Sequence, residues 1–233
     1  MQYAINSKKE RVHASKADKG KEYYCPVCDQ KVILRHGDYN IPHYSHVSKC
    51  VDEWHYEGEM SEWHLQWQMQ FPPGNREFVV ENLGEKHRTD VMACGYAIEF
   101  QHSRISAAEF KERNDFYRKL GKKIIWVIDL TEEYSENKIV FYDESCGDKG
   151  SGGKFRWKNP RRFLHSYVPQ RDSDIIVFFQ LSDGDHADQN SSYIERVVWA
   201  VEDGNGSSFR RFCTAYTPGN AKELLRFVKE RWL

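Results

Sequence analysis

The sequence predicts an α+β protein: a helix, three strands, a second helix and a further strand, preceded by a small cysteine-rich module and followed by an extension. Three observations carry that expectation. FVVENL, TDVMAC and YAIEFQ are rich in β-branched and aromatic residues and are separated by turn signals at Gly84 and Gly95, which favours an antiparallel meander. Helical patterns flank this run on both sides. Three of the six cysteines, Cys25, Cys28 and Cys50, crowd into one short stretch near the amino terminus.

Composition bounds the classes. At 233 residues the chain can bury a proper core, and 39% hydrophobic with 30% charged residues describes a globular protein in water. No apolar run approaches a membrane span, and MQYAINSKKE does not read as a signal peptide, so the expected compartment is the cytoplasm. A net charge of −1 argues against a uniformly basic nucleic-acid binder. The charge is segregated, however. Residues 149–171 carry seven Lys or Arg and no acid, with Phe155, Trp157, Phe163 and Tyr167 among them.

Residues 1–57 form the first expected unit. CPVC, then HYSH, then Cys50 has the spacing of a zinc site rather than of a disulfide set. A Cys-x-x-Cys turn offers two thiolates (Cys25 and Cys28) to one metal, and a His with a Cys completes a tetrahedron. His46 and Cys50 are four apart and share a face if that stretch is helical, while His43 competes with His46 for the third position. The alternatives are a CxxC without metal, or a redox pair. RVHAS and KVILRH read as short strands, broken by Gly20, Gly37 and Pro42, which gives a zinc-ribbon-like module in which Zn²⁺ replaces a core too small to build. Cys94, Cys146 and Cys213 are scattered, and core burial is expected of each.

Residues 58–142 form the second unit. A helix is expected from Glu59 to Phe71, ended by Pro72-Pro73-Gly74, with Met60, Trp63, Trp67 and Phe71 facing the core. His64 and Gln68 lie four apart on another face, where they point toward Asp90; solvation is the plainer role for a lone helical His. Glu99 and Gln101, two apart in an extended run, project from one face of their strand, and Asp90 meets them across a tight hairpin. Two carboxylates converging on a strand pair make a hard-oxygen site suited to Mg²⁺ or Mn²⁺. The bland reading is a pair of solvated edge charges. SAAEFKERNDFYRKLG then reads as an amphipathic helix with Phe110, Tyr117 and Leu120 on its apolar stripe and Gly121 as its stop, and KKIIWVIDL as a buried strand beside the others.

CPVC with PHYSH, the WH helix, RTDV, IEFQHS, and FKERNDFY followed by IIWVID together resemble the PD-(D/E)XK nuclease superfamily, specifically its competence protein CoiA-like group, over residues 10–130. The resemblance implies a restriction-endonuclease-like core of αβββαβ order and metal-dependent hydrolysis of DNA in uptake, processing or defence. It implies Asp90 and Glu99 as ligands of a catalytic Mg²⁺ or Mn²⁺, with Gln101 where most members place Lys. That change removes a cation beside the attacking water, although some nuclease branches carry Glu-x-Gln. Gln68, where the group usually has Lys, is a second departure. Asp90, Glu99, Gln101 and His64 are thus the candidate catalytic residues, with Gln101 positioning the water by hydrogen bonding. Glu81 is a further acidic candidate, Arg88 a candidate for phosphate, and Arg113 with Tyr117 either holds the backbone or braces the site. The competing reading is a catalytically silent nucleic-acid-binding or adaptor protein that keeps the fold. An Asp-based phosphatase is poorly supported, because no phosphate-cradling Gly-rich loop precedes a helix.

Residues 143–233 form the extension. KFRWKNPRRFLHSY either tracks a phosphate backbone with its rings stacked on bases or is an ordinary amphipathic segment. DIIVFFQL and RVVWAVED read as strands and NAKELLRFVKERWL as a closing helix, whereas DGDHADQ lacks EF-hand spacing and reads as a solvated loop. This part either recognises a partner protein or extends the sheet, and strand-edge pairing offers a route to a homo-oligomer.

Overall fold

A computed structural model of the chain describes residues 1–37, 41–50, 54, 60–145, 152–157, 174–181, 197–201, 210–214, 224 and 226. They form a mixed α/β structure with two sheets. The first sheet is built from β1 (Tyr3–Asn6), β2 (Arg11–His13), β3 (Tyr23–Tyr24), β4 (Lys31–Arg35) and β5 (His43–His46), antiparallel throughout in the order β2-β1-β3-β4-β5. RVHAS and KVILRH supply β2 and β4 as their patterns predict. HYSH is strand β5, so the helical condition for His46 and Cys50 to share a face is not the one met.

The second sheet begins after helix α1 (Glu62–Met69) with β6 (Arg76–Asn82), β7 (Glu85–Ala93) and β8 (Tyr96–Gln101). Helix α2 (Ala107–Lys119), β9 (Lys123–Asp129) and the short α3 (Thr131–Ser135) follow, then β10 (Ile139–Ser145), β11 (Gly152–Trp157), β12 (Ile175–Gln180), β13 (Val197–Val201) and β14 (Arg210–Thr214). The strand order is β10-β11-β14-β13-β12-β9-β8-β7-β6. The meander arises at two similar turns. Asn82 pairs with Glu85 and Ala93 with Tyr96, leaving two-residue loops, Leu83-Gly84 and Cys94-Gly95. All four loop residues have positive φ, at 51°, 87°, 52° and 83°. That is the tight-hairpin geometry whose twist matches the strands. Cys94 consequently sits exposed at a hairpin tip rather than in the core.

Each helix is stopped and started by its own chemistry. Ser61 caps α1 by accepting the His64 N–H at 3.2 Å, and Ser106 caps α2 by accepting the Glu109 N–H at 3.1 Å. Gly121, at φ 64°, ends α2 and turns the chain into β9. The strand period of two then sorts side chains onto two faces. Ala97, Ile124, Trp126 and Val177 pack with Phe110, Phe116 and Tyr117 of α2. Val91, Ile98, Phe100, Ile125 and Ile176 pack with Trp67 and Phe71 at the α1 side, where Leu224 is also buried.

Strands β8, β9 and β12 are mutually parallel, with Ile125 opposite both Ile98 and Ile176. The extension therefore joins the sheet through β12, beside β9, and continues it with β13 and β14. Gln180, at the end of β12, accepts the indole N–H of Trp63 at 2.9 Å and of Trp67 at 2.7 Å, fastening α1 to that strand. The two sheets are joined at Glu77, whose buried carboxylate accepts the backbone N–H groups of Gln2 at 2.7 Å and Tyr3 at 3.0 Å. Arg11 adds a bond to the Pro73 carbonyl at 2.9 Å.

Of the basic aromatic run, Gly152–Trp157 is β11. Its side chains, the rest of that run, the DGDHADQ loop, Cys146 and most of the closing segment lie outside the described residues. No helix among the described residues is long and apolar enough to cross a membrane.

Candidate active site and Cys/His cluster

The β7–β8 ladder pairs Ala93 with Tyr96, Met92 with Ala97 and Val91 with Ile98; the residues next along are Asp90 and Glu99. There a side chain takes over from the backbone. Asp90 Oδ2 accepts the Phe100 N–H at 2.8 Å, while Thr89 Oγ1 donates to the Ile98 carbonyl at 3.3 Å. Asp90 Oδ1 meets His64 Nε2 at 2.8 Å and accepts from Gln68 Nε2 at 3.1 Å, both from one face of α1. Glu99, 1% exposed, is served by the other helix. Its Oε2 accepts from Arg113 Nη1 at 3.2 Å and its Oε1 from the Tyr117 hydroxyl at 2.8 Å. Each carboxylate is thus held by an i, i+4 pair from its own helix.

The electrostatics follow from burying two acids side by side. Burial, followed by the charge of Asp90, pushes the Glu99 carboxyl up to about 7, with Arg113 and Tyr117 pulling back only in part. Burial alone would lower the His64 pKa, but the charge and hydrogen bond of Asp90 outweigh it and raise it. The folded chain therefore keeps a proton on Glu99 that the unfolded chain, with an ordinary value of 4.5, has released. Without added divalent ions, this group's contribution to stability is full below about 4.5 and is lost as pH rises toward about 7. Urea unfolding across that window should show the decline, of the order of a few kcal/mol, and Glu99→Gln should flatten it.

The other candidates are placed as follows. Gln101 Nε2 donates to the Ser103 carbonyl at 2.7 Å and Oγ at 3.3 Å, and its Oε1 meets no donor among the described residues. Glu81 stands on the solvent side, 3.8 Å from Lys86, apart from the carboxylate pair. The charge of Arg88 acts on Glu77, helping to hold its buried carboxyl below the ordinary value. Of the two roles open to Arg113 and Tyr117, the geometry is that of bracing, since both bond to Glu99. Arg113 also pairs with Glu109 at 2.5 Å and donates to the carbonyl of Trp54, whose ring stacks on His87 at 3.4 Å between centroids. Sequence reasoning missed Trp54 and His87, and it missed His102, which follows β8 and pairs with Asp129, the last residue of β9.

In the first sheet, ligand atoms of Cys25, Cys28, His46 and Cys50 all lie within 4.8 Å of one another. His43 is not among them. It lies three residues from His46 on a strand, which turns the two to opposite faces, and its Nδ1 sits 2.9 Å from the Ile41 carbonyl. Cys28 Sγ and His46 Nε2 are 3.5 Å apart. A hydrogen bond from Cys50 is the largest influence on the Cys25 thiol, which is pulled down to about 3 against its burial, with further help from His46 and the N–H groups of Cys28 and Val27. Burial pushes the Cys28 thiol up. Three sulfur donors and an imidazole converging at this range, one already favoured as a thiolate, suit a metal such as zinc.

Fold and sites together define a mixed α/β protein in which a sheet bearing a Cys/His cluster precedes a nuclease-like sheet. Residues 6–51 match the family model described as competence protein CoiA, N-terminal domain, and residues 65–146 match that of the competence protein CoiA, nuclease-like domain. The chain belongs to the competence protein CoiA-like family. No curated protein and no solved structure matches it.

Proposed function

We propose that the protein is a metal-dependent deoxyribonuclease that hydrolyses DNA phosphodiester bonds in uptake, processing or defence. In this reading residues 58–142 are a PD-(D/E)XK catalytic core, residues 1–57 a zinc-stabilised module and residues 143–233 an extension. The observation that carries it is the buried Asp90–Glu99 pair at the opening of the β7–β8 ladder. Burial, and after it the charge of Asp90, disfavours the ionised form of Glu99, and a divalent cation between the two carboxylates would offset both. The hard-oxygen donor set fits Mg²⁺ or Mn²⁺, held by Asp90 and Glu99. When bound, such an ion supplies Lewis-acid activation of a phosphate and of water. His64 and Gln68 orient Asp90, Arg113 and Tyr117 orient Glu99, and the Oε1 of Gln101 is available to align an attacking water.

The second reading, a silent nucleic-acid-binding adaptor, draws on the fact that every oxygen of both carboxylates already has a protein partner. Cleavage of plasmid and single-stranded DNA with Mg²⁺, with Mn²⁺ and without added metal separates the two. The nuclease reading expects metal-dependent cutting that falls at least about a hundredfold in Asp90→Ala and in Glu99→Ala. Full cutting by both variants removes the assignment. Absence of cutting together with absence of Mn²⁺ binding by calorimetry supports the adaptor.

A further inference from the structure

Beyond β8 the chain carries a histidine that the carboxylate site leaves unused. His102 Nδ1 lies 2.6 Å from Asp129 Oδ2. Because β8 and β9 are parallel, with Gln101 opposite Ile128, both residues fall at the carboxyl ends of neighbouring strands, the edge where open α/β sheets hold their ligands. An ordinary surface ion pair leaves both partners in water. Here the Asp129 side chain is 8% exposed and that of His102 51%. Asp129 is itself fixed, since its Oδ1 accepts the Thr131 N–H at 3.0 Å and the Thr131 hydroxyl at 2.8 Å. A buried carboxylate anchored in this way keeps the imidazole proton on Nδ1 and leaves the Nε2 lone pair outward. Nε2 meets no partner among the described residues.

The ring is also aimed. It stacks on Trp63, with centroids 5.8 Å apart and planes at 30°, and the Trp63 indole is held by Gln180. The residue next to Trp63 on α1 is His64, which holds Asp90. His102 and Asp90 are thus registered on the same helix turn. The site otherwise lacks a base: Gln101 is an amide, and His64 Nε2 is committed to Asp90.

We propose that His102 is the general base of the hydrolysis, with Asp129 as its positioning residue; this rests on the nuclease reading above. Nε2 takes one proton from the attacking water as its oxygen forms the new bond to phosphorus. The bond from phosphorus to the leaving nucleotide oxygen breaks with its electron pair on that oxygen, which takes a proton from solvent. The imidazolium, balanced by Asp129, returns its proton to bulk water.

The test measures DNA cleavage with Mn²⁺ by the full chain and by Asp90→Asn, His102→Gln, His102→Phe, His102→Ala and Asp129→Asn. Expected is a fall in kcat of about a hundredfold in His102→Gln, with KM within about twofold. His102→Phe, which keeps a ring against Trp63, should be equally slow, so that lost stacking does not account for the effect. Added imidazole should restore at least about tenfold in His102→Ala and nothing in Asp90→Asn. Asp129→Asn should lower kcat in the same direction, because an amide lets the ring take the other tautomer. If His102→Gln or His102→Phe keeps kcat within about threefold of the parent while Asp90→Asn is inactive, the base is refuted and the nuclease stands. Failure of imidazole to restore His102→Ala also overturns it. A parent chain that does not cut overturns the nuclease reading, and the base with it.

Discussion

Arg113→Met is expected to cost about 3–5 kcal/mol of folding stability, the range for removing one partner of a buried ion pair. The Arg113 side chain is 6% exposed and that of Glu99 1%, so water cannot replace the lost cation. The same substitution strands the Trp54 carbonyl and frees Glu109 on the same helix. Two controls identify the cause. The double variant Arg113→Met/Glu99→Leu should recover most of the loss, since an apolar pair carries no uncompensated charge. The cost should also shrink at acidic pH, where Glu99 takes up a proton and no longer needs its partner; Arg113 lowers the Glu99 pKa, so its removal extends the neutral form upward. Equilibrium urea unfolding reads both. A double variant no more stable than Arg113→Met would show that Arg113 acts through packing instead.

Removing the zinc proposed for the Cys25, Cys28, His46 and Cys50 cluster is expected to unfold the first sheet outright. The buried apolar cluster of that sheet is Ala4, Ala14, Tyr23, Cys25, Val27, Val32 and Tyr44, two of them alanines, which is little against the chain entropy of ordering five strands. Structural zinc contributes apparent free energies of about 10–16 kcal/mol in small metal-stabilised domains, enough to decide whether such a unit folds. Elemental analysis should find one zinc per chain. Cys25→Ser and His46→Ala should lose it together with hydrogen-exchange protection of β1–β5, while β8 and β9 stay protected. His43→Ala should keep its zinc, because that ring faces away from the cluster. A metal-free chain with β1–β5 still protected would show that the sheet stands on its own core.

What the sequence revealed and what it concealed divide along a physical line. Local signals were legible: the hairpin glycines, the apolar stripe of α2 and its Gly121 stop, the CPVC turn, and His64 with Gln68 at helical spacing facing Asp90. Contacts that depend on distant pairing were not. DIIVFFQL reads as a buried strand, but nothing local in it says that it lies parallel to β9. Glu77 reads as an ordinary strand residue until Gln2 and Tyr3 arrive at its carboxylate. The i, i+4 spacing of His46 and Cys50 left the backbone type open, and a strand followed by the next residues returns Cys50 to His46 as well as a helix would. Arg113 and Tyr117 were legible as a pair, repeating on α2 the spacing of His64 and Gln68 on α1, but the choice between their two roles shows only in their bonds to Glu99. His102 and Asp129 are 27 residues apart and meet only because two strands run side by side.

The bond from Gln180 to both indoles of α1 has a consequence for how the chain is made. Trp63 and Trp67 are synthesised more than a hundred residues before the amide that holds them. At about 5–20 residues per second, α1 waits several seconds on the ribosome without its anchor. During that interval α1 is held only by its contacts with β7 and β8, among them His64 and Gln68 on Asp90 and Trp67 on Phe100. The carboxylate pair exists early in translation, but its geometry is completed only when β12 emerges and slots beside β9. The anchoring of α1 is thereby completed only once nearly four-fifths of the chain has been made.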